Sequence, residues 1–282
     1  MKSMQMKALS LAVLALAGLG MAGSAFAVCP TLSTNTANST PGGGGAWTSQ
    51  TVRGGAFVDI PSAGGGLNST GCKFTSSIGT TPAANVGGFV SDTSPASEAR
   101  YRARWYFDAS TLTLTAANFQ AKMFNAFANT APGTFGTDEI NVRVVGGGTP
   151  VLRFAVADAT QPSGFKTITS AALPVSGTGH YYVEFDLNKG AGAGAVAGVT
   201  CNTCAAGDAG CFRYWITAEG TASSDASPTG VCSLNNAGWS GVEQANLGLF
   251  TTSANFRANN NTLSKTLAVD EFDSRRQTFI GQ

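Results

Sequence analysis

The sequence predicts an all-β protein, and three observations support this fold class. Apolar and polar residues alternate with a period of two in several segments, whereas the periodicity of an amphipathic helix is nearly absent. Clusters of glycine, proline or asparagine separate these segments, as they do between strands. The chain has 36 glycines and 12% charged residues, a composition common in exported β proteins, whose turns need glycine and asparagine. We therefore expect strands joined by turns over most of the chain.

The segment 100–107 is the clearest strand. Arg100, Arg102 and Arg104 fall on one side of an extended chain, and aromatic or small residues fall on the other. This alternation predicts one face in the core and one polar face. Further strands are expected at 138–145, 151–157, 180–187, 211–218, 244–250 and 265–274, with edge strands near 55–60, 71–77 and 86–90.

The segment 116–127 is the single candidate for a helical turn. Phe119, Met123 and Phe127 fall on one helical stripe. A core-facing helix or a pair of strands explains this pattern without a binding role.

The N-terminus predicts export. Lys2 and Lys7 precede an apolar run over 8–21, and small residues at Ala25 and Ala27 fit signal-peptidase cleavage after position 27. The run is shorter than the roughly 20 residues of a membrane-spanning helix. We therefore expect a signal peptide over 1–27 and a secreted protein, periplasmic or extracellular, with no membrane span after cleavage. The rest divides into an extension with edge strands over 28–89 and a main domain over 90–282, which together form one compact domain.

All six cysteines follow the predicted cleavage point, and an even number in an exported chain favours disulfides. Their positions are Cys29, Cys72, Cys201, Cys204, Cys211 and Cys232. The long interval without cysteine after position 72 favours a bond between the first two and a separate group of four. Within that group we favour 201 with 204 and 211 with 232. A zinc site at 201–204 lacks a second such motif and a neighbouring histidine, since the sole histidine is His180. A redox pair there lacks a surrounding βαβ pattern.

The segment 267–276 carries charges on both faces of one extended strand. Its charged residues are Asp270, Glu271, Asp273, Arg275 and Arg276. Because successive side chains alternate sides, opposite charges can pair locally without a substrate. The row of Arg100, Arg102 and Arg104 offers further partners for these carboxylates.

The order of these segments resembles the strands of a concanavalin A-like (laminin G-type) jelly roll, a superfamily pattern also found in bacterial secreted proteins without an assigned activity. The resemblance covers about residues 90–276 and involves segments 100–108, 180–186, 211–215, 245–249 and 269–276. Val269-Asp-Glu-Phe272 is similar to the closing strand frequent in that superfamily. The resemblance implies a β-sandwich of two antiparallel sheets.

Members of that superfamily include sugar-binding lectin domains and glycoside hydrolases, so the resemblance raises the question of catalysis. Glu271 and Asp273 have the same-face spacing that a retaining hydrolase needs. The glucanase motif requires a further glutamate, and Ser274, Arg275 and Arg276 follow instead. We therefore expect structural charge pairing and no catalysis, with Glu271 and Asp273 as the catalytic residues if the protein is an enzyme.

For ligands, the sequence favours a carbohydrate. The weak formal charge of +1 argues against a nucleic-acid surface. Exposed aromatic rings stack on sugars, and Trp239 and Tyr182 are the residues we select for this role. No cofactor is expected, with calcium kept as an alternative on loop or strand-end aspartates. These aspartates are Asp92, Asp138, Asp158, Asp208 and Asp225.

The sequence therefore predicts a secreted, non-catalytic module that recognises a carbohydrate or a cell-surface component. One alternative is a glycoside hydrolase or polysaccharide lyase on the same fold. A second alternative is an envelope or matrix protein that self-associates through exposed strand edges.

Overall fold

The structure is a computed structural model, and it describes the chain in separate ranges. These are residues 49–53, 55–61, 67, 72–78, 86–93, 95–110, 112, 120–128, 138–146, 151–174, 176, 178–189, 210–236, 238, 241–251, 265–275 and 279–281. The predicted signal peptide, Cys29, Cys201, Cys204, Asp208, Trp239 and Arg276 lie outside the described residues. Export of the protein and the roles of these residues remain predictions.

Fourteen strands make up the described chain. They are β1 (Ser49–Arg53), β2 (Gly55–Pro61), β3 (Cys72–Ile78), β4 (Val86–Asp92), β5 (Arg100–Asp108), β6 (Gln120–Phe127), β7 (Asp138–Val145), β8 (Val151–Ala157), β9 (Phe165–Ala172), β10 (His180–Lys189), β11 (Gly210–Ala218), β12 (Gly230–Leu234), β13 (Gln244–Thr251) and β14 (Lys265–Arg275).

The strands form two antiparallel sheets of seven strands each. Sheet A has the order β1-β4-β13-β6-β7-β8-β9, and sheet B has the order β12-β11-β10-β5-β14-β3-β2. The all-β class and the two-layer antiparallel architecture of a jelly roll are confirmed. The described ranges contain no helix, and so none that could cross a bilayer. Membership of the concanavalin A-like superfamily stays a prediction.

Three strands were not expected from the sequence: β1, β9 and β12. The segment 116–127, for which a helix or a pair of strands was expected, contains β6, so the helix interpretation is wrong for residues 120–127 and a strand is present there. A register shift between Lys122 and Phe124 explains the misleading pattern. This bulge lets the neighbouring residues Met123 and Phe124 both join the core, which breaks the period of two.

The first strands enter both sheets. β1 and β4 belong to sheet A, and β2 and β3 belong to sheet B. β2 lies at an edge, as the sequence predicts. β3 and β4 instead have neighbours on both sides, because β14 and β13 pair with them.

The core lies between the two sheets and is rich in aromatic rings. The alternation predicted for β5 places Tyr101, Ala103, Trp105 and Phe107 in this core. Trp105 stacks on Phe124 of the opposite sheet, with ring centroids 5.1 Å apart. The side chains between them point away from the core, onto the outer face of sheet B.

A close approach of the two sheets fixes the position of β13. A bulge between Leu247 and Phe250 interrupts the pairing of β13 with β6. The backbone N–H of Leu249 donates across the sandwich to Ser76 Oγ, at 2.7 Å. Gly248 has a φ of +153°, and a Cβ there would lie 2.3 Å from the carbonyl oxygen of Gly88. Glycine is therefore required where β13 bends beside β4.

Candidate functional site

Sheet A carries a chain of hydrogen-bonded amides on its outer face, which we call the amide row: Gln244, Asn246, Asn125 and Asn141. These residues alternate with core residues of β13, β6 and β7. Gln244 Nε2 donates to Asn246 Oδ1 at 3.0 Å, and Asn246 Nδ2 donates to Asn125 Oδ1 at 3.2 Å. All four amides are buried. The row crosses three neighbouring strands. Hydrogen bonds link Gln244, Asn246 and Asn125, whereas Asn125 and Asn141 are joined through Asp138.

The amide row converges on the carboxylate of Asp138. Asn125 Nδ2 donates to Asp138 Oδ1 at 2.8 Å, and Asn141 Nδ2 donates to Oδ2 at 3.1 Å. The ammonium group of Lys122 also donates to Oδ2 and forms a salt bridge with it. Burial lowers the pKa of Lys122, and the charge of Asp138 opposes this effect. Three side chains therefore donate hydrogen bonds to one carboxylate.

Three cations stand side by side on the same face, and we call them the cation row: Lys122, Arg143 and Arg153. Lys122 of β6 is directly opposite Arg143 of β7, and Arg143 is directly opposite Arg153 of β8. Arg143 and Arg153 are half-buried. Like charges directly opposite on neighbouring strands are destabilising. The row is therefore an arrangement that folding alone does not favour.

The two arginines of the cation row differ in their partners. Arg143 donates from Nε to Asn141 Oδ1 at 2.8 Å and from Nη1 to Gln120 Oε1 at 3.5 Å. Burial lowers the pKa of Arg143, the charge of Asp138 opposes this effect, and the charge of Arg153 adds to it. The buried Nε of Arg153 has no hydrogen-bond partner. Arg153 therefore keeps hydrogen-bonding capacity that the protein does not use.

Glu139 adds a buried carboxyl group next to Asp138. It is the extra residue of a bulge, because Asp138 is opposite Phe127 and Ile140 is opposite Ala126. Its Oε2 has no hydrogen-bond partner. Burial raises the pKa of Glu139 to about 7, and the charge of Asp138 contributes to the rise. The pKa of the Glu139 carboxyl group therefore lies near neutrality.

The outer face of sheet B carries a charged cluster centred on Asp186 of β10. Asp186 is opposite Arg102 of β5 on one side and Arg213 of β11 on the other. Arg100 binds it with Nε and Nη2, each at 2.9 Å, and Arg213 Nη2 binds it at 2.7 Å. Burial raises the pKa of Asp186, but the hydrogen bond of Arg100 and the charge of Arg102 outweigh it, so the pKa lies below its ordinary value.

This charged cluster is closed by other parts of the chain. Arg102 is fully buried, and its Cζ lies 5.3 Å from the ring centroid of Trp215 and 5.4 Å from that of Phe279. Its Nη2 also contacts Asp225 of the β11–β12 connection at 2.6 Å. The cluster is therefore covered by a C-terminal residue and a loop carboxylate.

Glu184 is the second buried carboxylate of this cluster. It accepts hydrogen bonds from the hydroxyl of Tyr182 and from the backbone N–H groups of Ile280 and Gly281, both at 3.1 Å. Burial raises its pKa, and these hydrogen bonds oppose the rise. The C-terminal residues thus bind the carboxylate that a ligand would otherwise reach.

The structure describes some of the residues selected from the sequence for glycan binding and catalysis. Tyr182 is fully buried on sheet B, and Trp239 lies outside the described residues. Asp270 is buried and accepts the backbone N–H of Leu67 at 2.8 Å. The backbone of Glu271 belongs to β14, and its side chain lies outside what the structure describes.

Two arginines of β5 form salt bridges with carboxylates outside the closing strand, and the predicted pairing with that strand stays a prediction. Arg100 pairs with Asp186, and Arg102 pairs with Glu184, Asp186 and Asp225. Arg104 is in register with Asp273 of the closing strand. The backbone of Arg275 lies in β14, opposite Arg102, and its side chain is outside the described part.

Of the six cysteines, the structure describes the side chain of Cys211. Cys211 is disulfide-bonded. Cys72 and Cys232 lie in β3 and β12, but their side chains are outside the described part of the structure. The pairing scheme therefore remains a prediction.

Four of the five aspartates considered for calcium lie in the described ranges. Asp138, Asp158 and Asp225 accept hydrogen bonds from Asn125, Thr160 and Arg102 respectively. Asp92 is a buried residue at the end of β4. Over the described ranges, no three His, Cys, Asp or Glu side chains come together as metal ligands. Calcium dependence stays a prediction.

The sequence interpretation missed both rows of sheet A. Gln244 and Asn246 alternate in β13, and Asn141 and Arg143 alternate in β7, which was a visible signal. The strand that joins them, β6, was predicted only as an alternative to a helix. Without a definite β6, no sequence pattern placed Lys122 or Asn125 beside the other residues.

No protein-family model and no curated protein sequence matches the chain. Among solved structures, the chain is similar to the receptor-binding domain of botulinum neurotoxin type G, with 8% identity and a TM-score of 0.44 over 82% of this chain and 43% of that chain. It is also similar to a mutant of alginate lyase Aly36B in complex with an alginate tetrasaccharide, with 12% identity and a TM-score of 0.46 over 73% and 81%.

A third similar structure is the carbohydrate esterase vb_24B_21 from Shiga toxin-encoding bacteriophage phi24B, with 7% identity and a TM-score of 0.46 over 81% and 90% of the two chains. The match spans less than half of the chain of the botulinum neurotoxin receptor-binding domain. Likenesses at these TM-scores carry no argument about activity, so the function is argued from the residues of this chain.

Proposed function

We propose that this protein is a non-catalytic recognition module that binds a carbohydrate on the outer face of sheet A. The amide row is the observation that carries the proposal. Its side chains cross β13, β6 and β7, which covers about 10 Å at the usual spacing of strands. Amide groups both donate and accept hydrogen bonds, which matches the hydroxyl groups of a sugar. We also infer that the protein acts after export, as its apolar N-terminal segment suggests.

The rigidity of the amide row supports binding. Gln244, Asn246 and Asn125 each hold the next residue in one orientation through a hydrogen bond. Side chains that are already ordered lose little conformational entropy when a ligand arrives. Placement on strands, and not on loops, keeps this geometry fixed.

The state of the carboxylates favours binding without catalysis. A retaining glycosidase needs two available carboxyl groups about 5 Å apart. Asp138 already accepts three side-chain hydrogen bonds. Glu184 and Asp186 are fully buried on the other sheet.

Glu139 favours a second candidate function, a glycoside hydrolase or polysaccharide lyase. A carboxyl group with a pKa near 7 beside an ionised carboxylate is the arrangement of a general acid or base. Incubation of the protein with a polysaccharide panel, followed by measurement of reducing ends and unsaturated sugars, separates the two functions. We expect no products. Products that disappear in Glu139→Gln would establish the enzyme instead.

A glycan array followed by titration calorimetry tests the binding proposal. Asn246→Ala removes one link of the amide row, and we expect it to weaken binding about fivefold, because a net hydrogen bond contributes roughly 1 kcal/mol. Asn236→Ala is the matched control, since Asn236 is another buried amide, bonded at 3.2 Å to the carbonyl of Asn188 in sheet B.

We expect Asn236→Ala to lower stability in a similar way and to leave binding unchanged. Equal loss of binding in both variants would mean that the amide row is not the binding surface. Failure of the protein to bind any carbohydrate would overturn the proposal.

A further inference from the structure

The cation row concentrates positive charge on the proposed binding face. In register, the neighbours of Arg143 are Lys122 and Arg153, and the other neighbour of Arg153 is Thr169 of β9. No carboxylate therefore stands directly opposite either arginine. Asp138 pairs with Lys122 at the end of β7 and is also bound by two amides.

A row of three positive charges destabilises the fold unless an opposite charge compensates it. Opposed side chains on neighbouring strands have Cβ atoms only about 4.5–5.5 Å apart, so like charges there repel. Burial strengthens that repulsion, because fewer water molecules screen it. An anion placed between the arginines would remove the repulsion, and the half-buried state of Arg143 and Arg153 keeps them within its reach.

The chemistry of Arg153 also points to an anion. Its Nε lacks a hydrogen-bond partner, although the atom is buried. A guanidinium group presents paired N–H donors that fit a carboxylate or sulfate in two parallel hydrogen bonds. A neutral sugar hydroxyl fits this donor pair less well.

We propose that the outer face of sheet A binds an anionic polysaccharide, with an acidic group between Arg143 and Arg153 and the hydroxyl groups along the amide row. This inference rests on the proposed function and names its ligand class. The acidic groups are carboxylates or sulfates, which share the chemistry that the arginines recognise. The adjacent amides select a sugar chain over a bare anion.

Titration calorimetry with three polysaccharides of matched length tests the ligand class: one neutral, one carboxylated and one sulfated. Single-stranded DNA serves as a fourth, non-sugar polyanion. We expect at least one acidic polysaccharide to bind tenfold or more tightly than the neutral one at low ionic strength. The advantage should shrink with added salt, because screening weakens attraction between exposed charges. The acidic polysaccharide that binds with the higher affinity shows whether the site prefers a carboxylate or a sulfate.

Arg153→Gln tests the position of the acidic group. It should reduce the affinity for the acidic polysaccharide about tenfold and leave the affinity for the neutral one unchanged. Lys73→Gln is the matched control, since it removes the same charge from β3 of sheet B. This control should change neither affinity. Arg143→Gln provides a second variant with the same expected result.

Each outcome separates this inference from the proposed function. If all polysaccharides bind equally and Asn246→Ala weakens them, the carbohydrate proposal stands and the anionic ligand is overturned. DNA binding as tight as that of the acidic polysaccharide, or equal effects of Arg153→Gln and Lys73→Gln, would overturn the anionic site. Absence of all polysaccharide binding overturns both.

Discussion

The two sheets each carry a row of three charged residues in register across three strands, and the rows differ in the order of their charges. On sheet B, Asp186 stands between Arg102 and Arg213. On sheet A, the cation row contains three positive charges. Both rows lie in register across three antiparallel strands, so the order of their charges can be compared directly.

The row on sheet B, which we call the alternating row (Arg102, Asp186 and Arg213), is a structural element. Asp186 neutralises its neighbours, and Trp215 and Phe279 pack against Arg102. The charges of this fully buried row are paired within the protein, although the buried Nε atoms of Arg102 and Arg213 have no hydrogen-bond partner, like that of Arg153. The cation row is instead half-buried at its two arginines. One strand geometry thus serves stability when charges alternate, and we propose that it serves binding when they do not.

The largest expected effect comes from breaking the alternating row with Asp186→Asn. This change leaves Arg100, Arg102 and Arg213 buried without their shared carboxylate. Removal of one partner of a buried ion pair costs about 3–5 kcal/mol. Urea unfolding of the variant and the parent protein measures this loss.

The control for that experiment is Asp225→Asn. Asp225 pairs with Arg102 and Arg213 but is 51% exposed, so we expect a loss of about 1 kcal/mol or less. Equal losses in the two variants would contradict a structural role specific to Asp186.

The titration of Glu139, which lies beside the cation row, should have a smaller effect on the free energy of unfolding. The pKa of Glu139 rises from 4.5 to about 7 on folding, so the folded state retains a proton that the unfolded state releases in this range. The stability that this proton provides is fully present below pH 4.5 and is lost as the pH rises through about 7.

Glu139→Gln mimics the protonated group and isolates this effect. Relative to the variant, the parent protein should lose up to about 3 kcal/mol between these pH values. Melting temperatures of both proteins across the range provide the measurement. A constant difference between them at every pH would mean that Glu139 does not titrate there.

The smallest effect is expected from converting the cation row into an alternating row. Arg153→Glu places a carboxylate opposite Arg143 and should stabilise the fold by about 0.5–1 kcal/mol, because attraction replaces repulsion. Thermal unfolding at low and high salt measures the gain, which should shrink with salt.

Lys73→Glu is the control for Arg153→Glu, because Lys73 is opposite Ile60 and faces no cation in register. We expect no gain from it. A loss of stability in Arg153→Glu would show that the three cations do not repel one another.

Sequence patterns predicted one of these rows in part. The alternation of Arg100, Arg102 and Arg104 with core residues was visible, and the structure confirms that the intervening side chains lie in the core. The expectation of charge pairing also came from the sequence. The partners did not, because Asp186 reaches Arg102 only through the pairing of β10 with β5.

The cation row could not be predicted from the sequence. A bulge places Met123 and Phe124 together in the core, so β6 shows no clean period of two. The register of Lys122, Arg143 and Arg153 depends on that bulge. A shift by one residue would send each side chain to the opposite face.

The sequence by itself determined the all-β class and, along well-patterned strands such as β5, which side chains share a face. This is so because the alternation of side chains is a local property of an extended backbone. Only the tertiary structure decided which strands are neighbours and in which register. Strand pairing joins residues far apart in the chain, such as Arg102 and Asp186, and local periodicity carries no information about that distance.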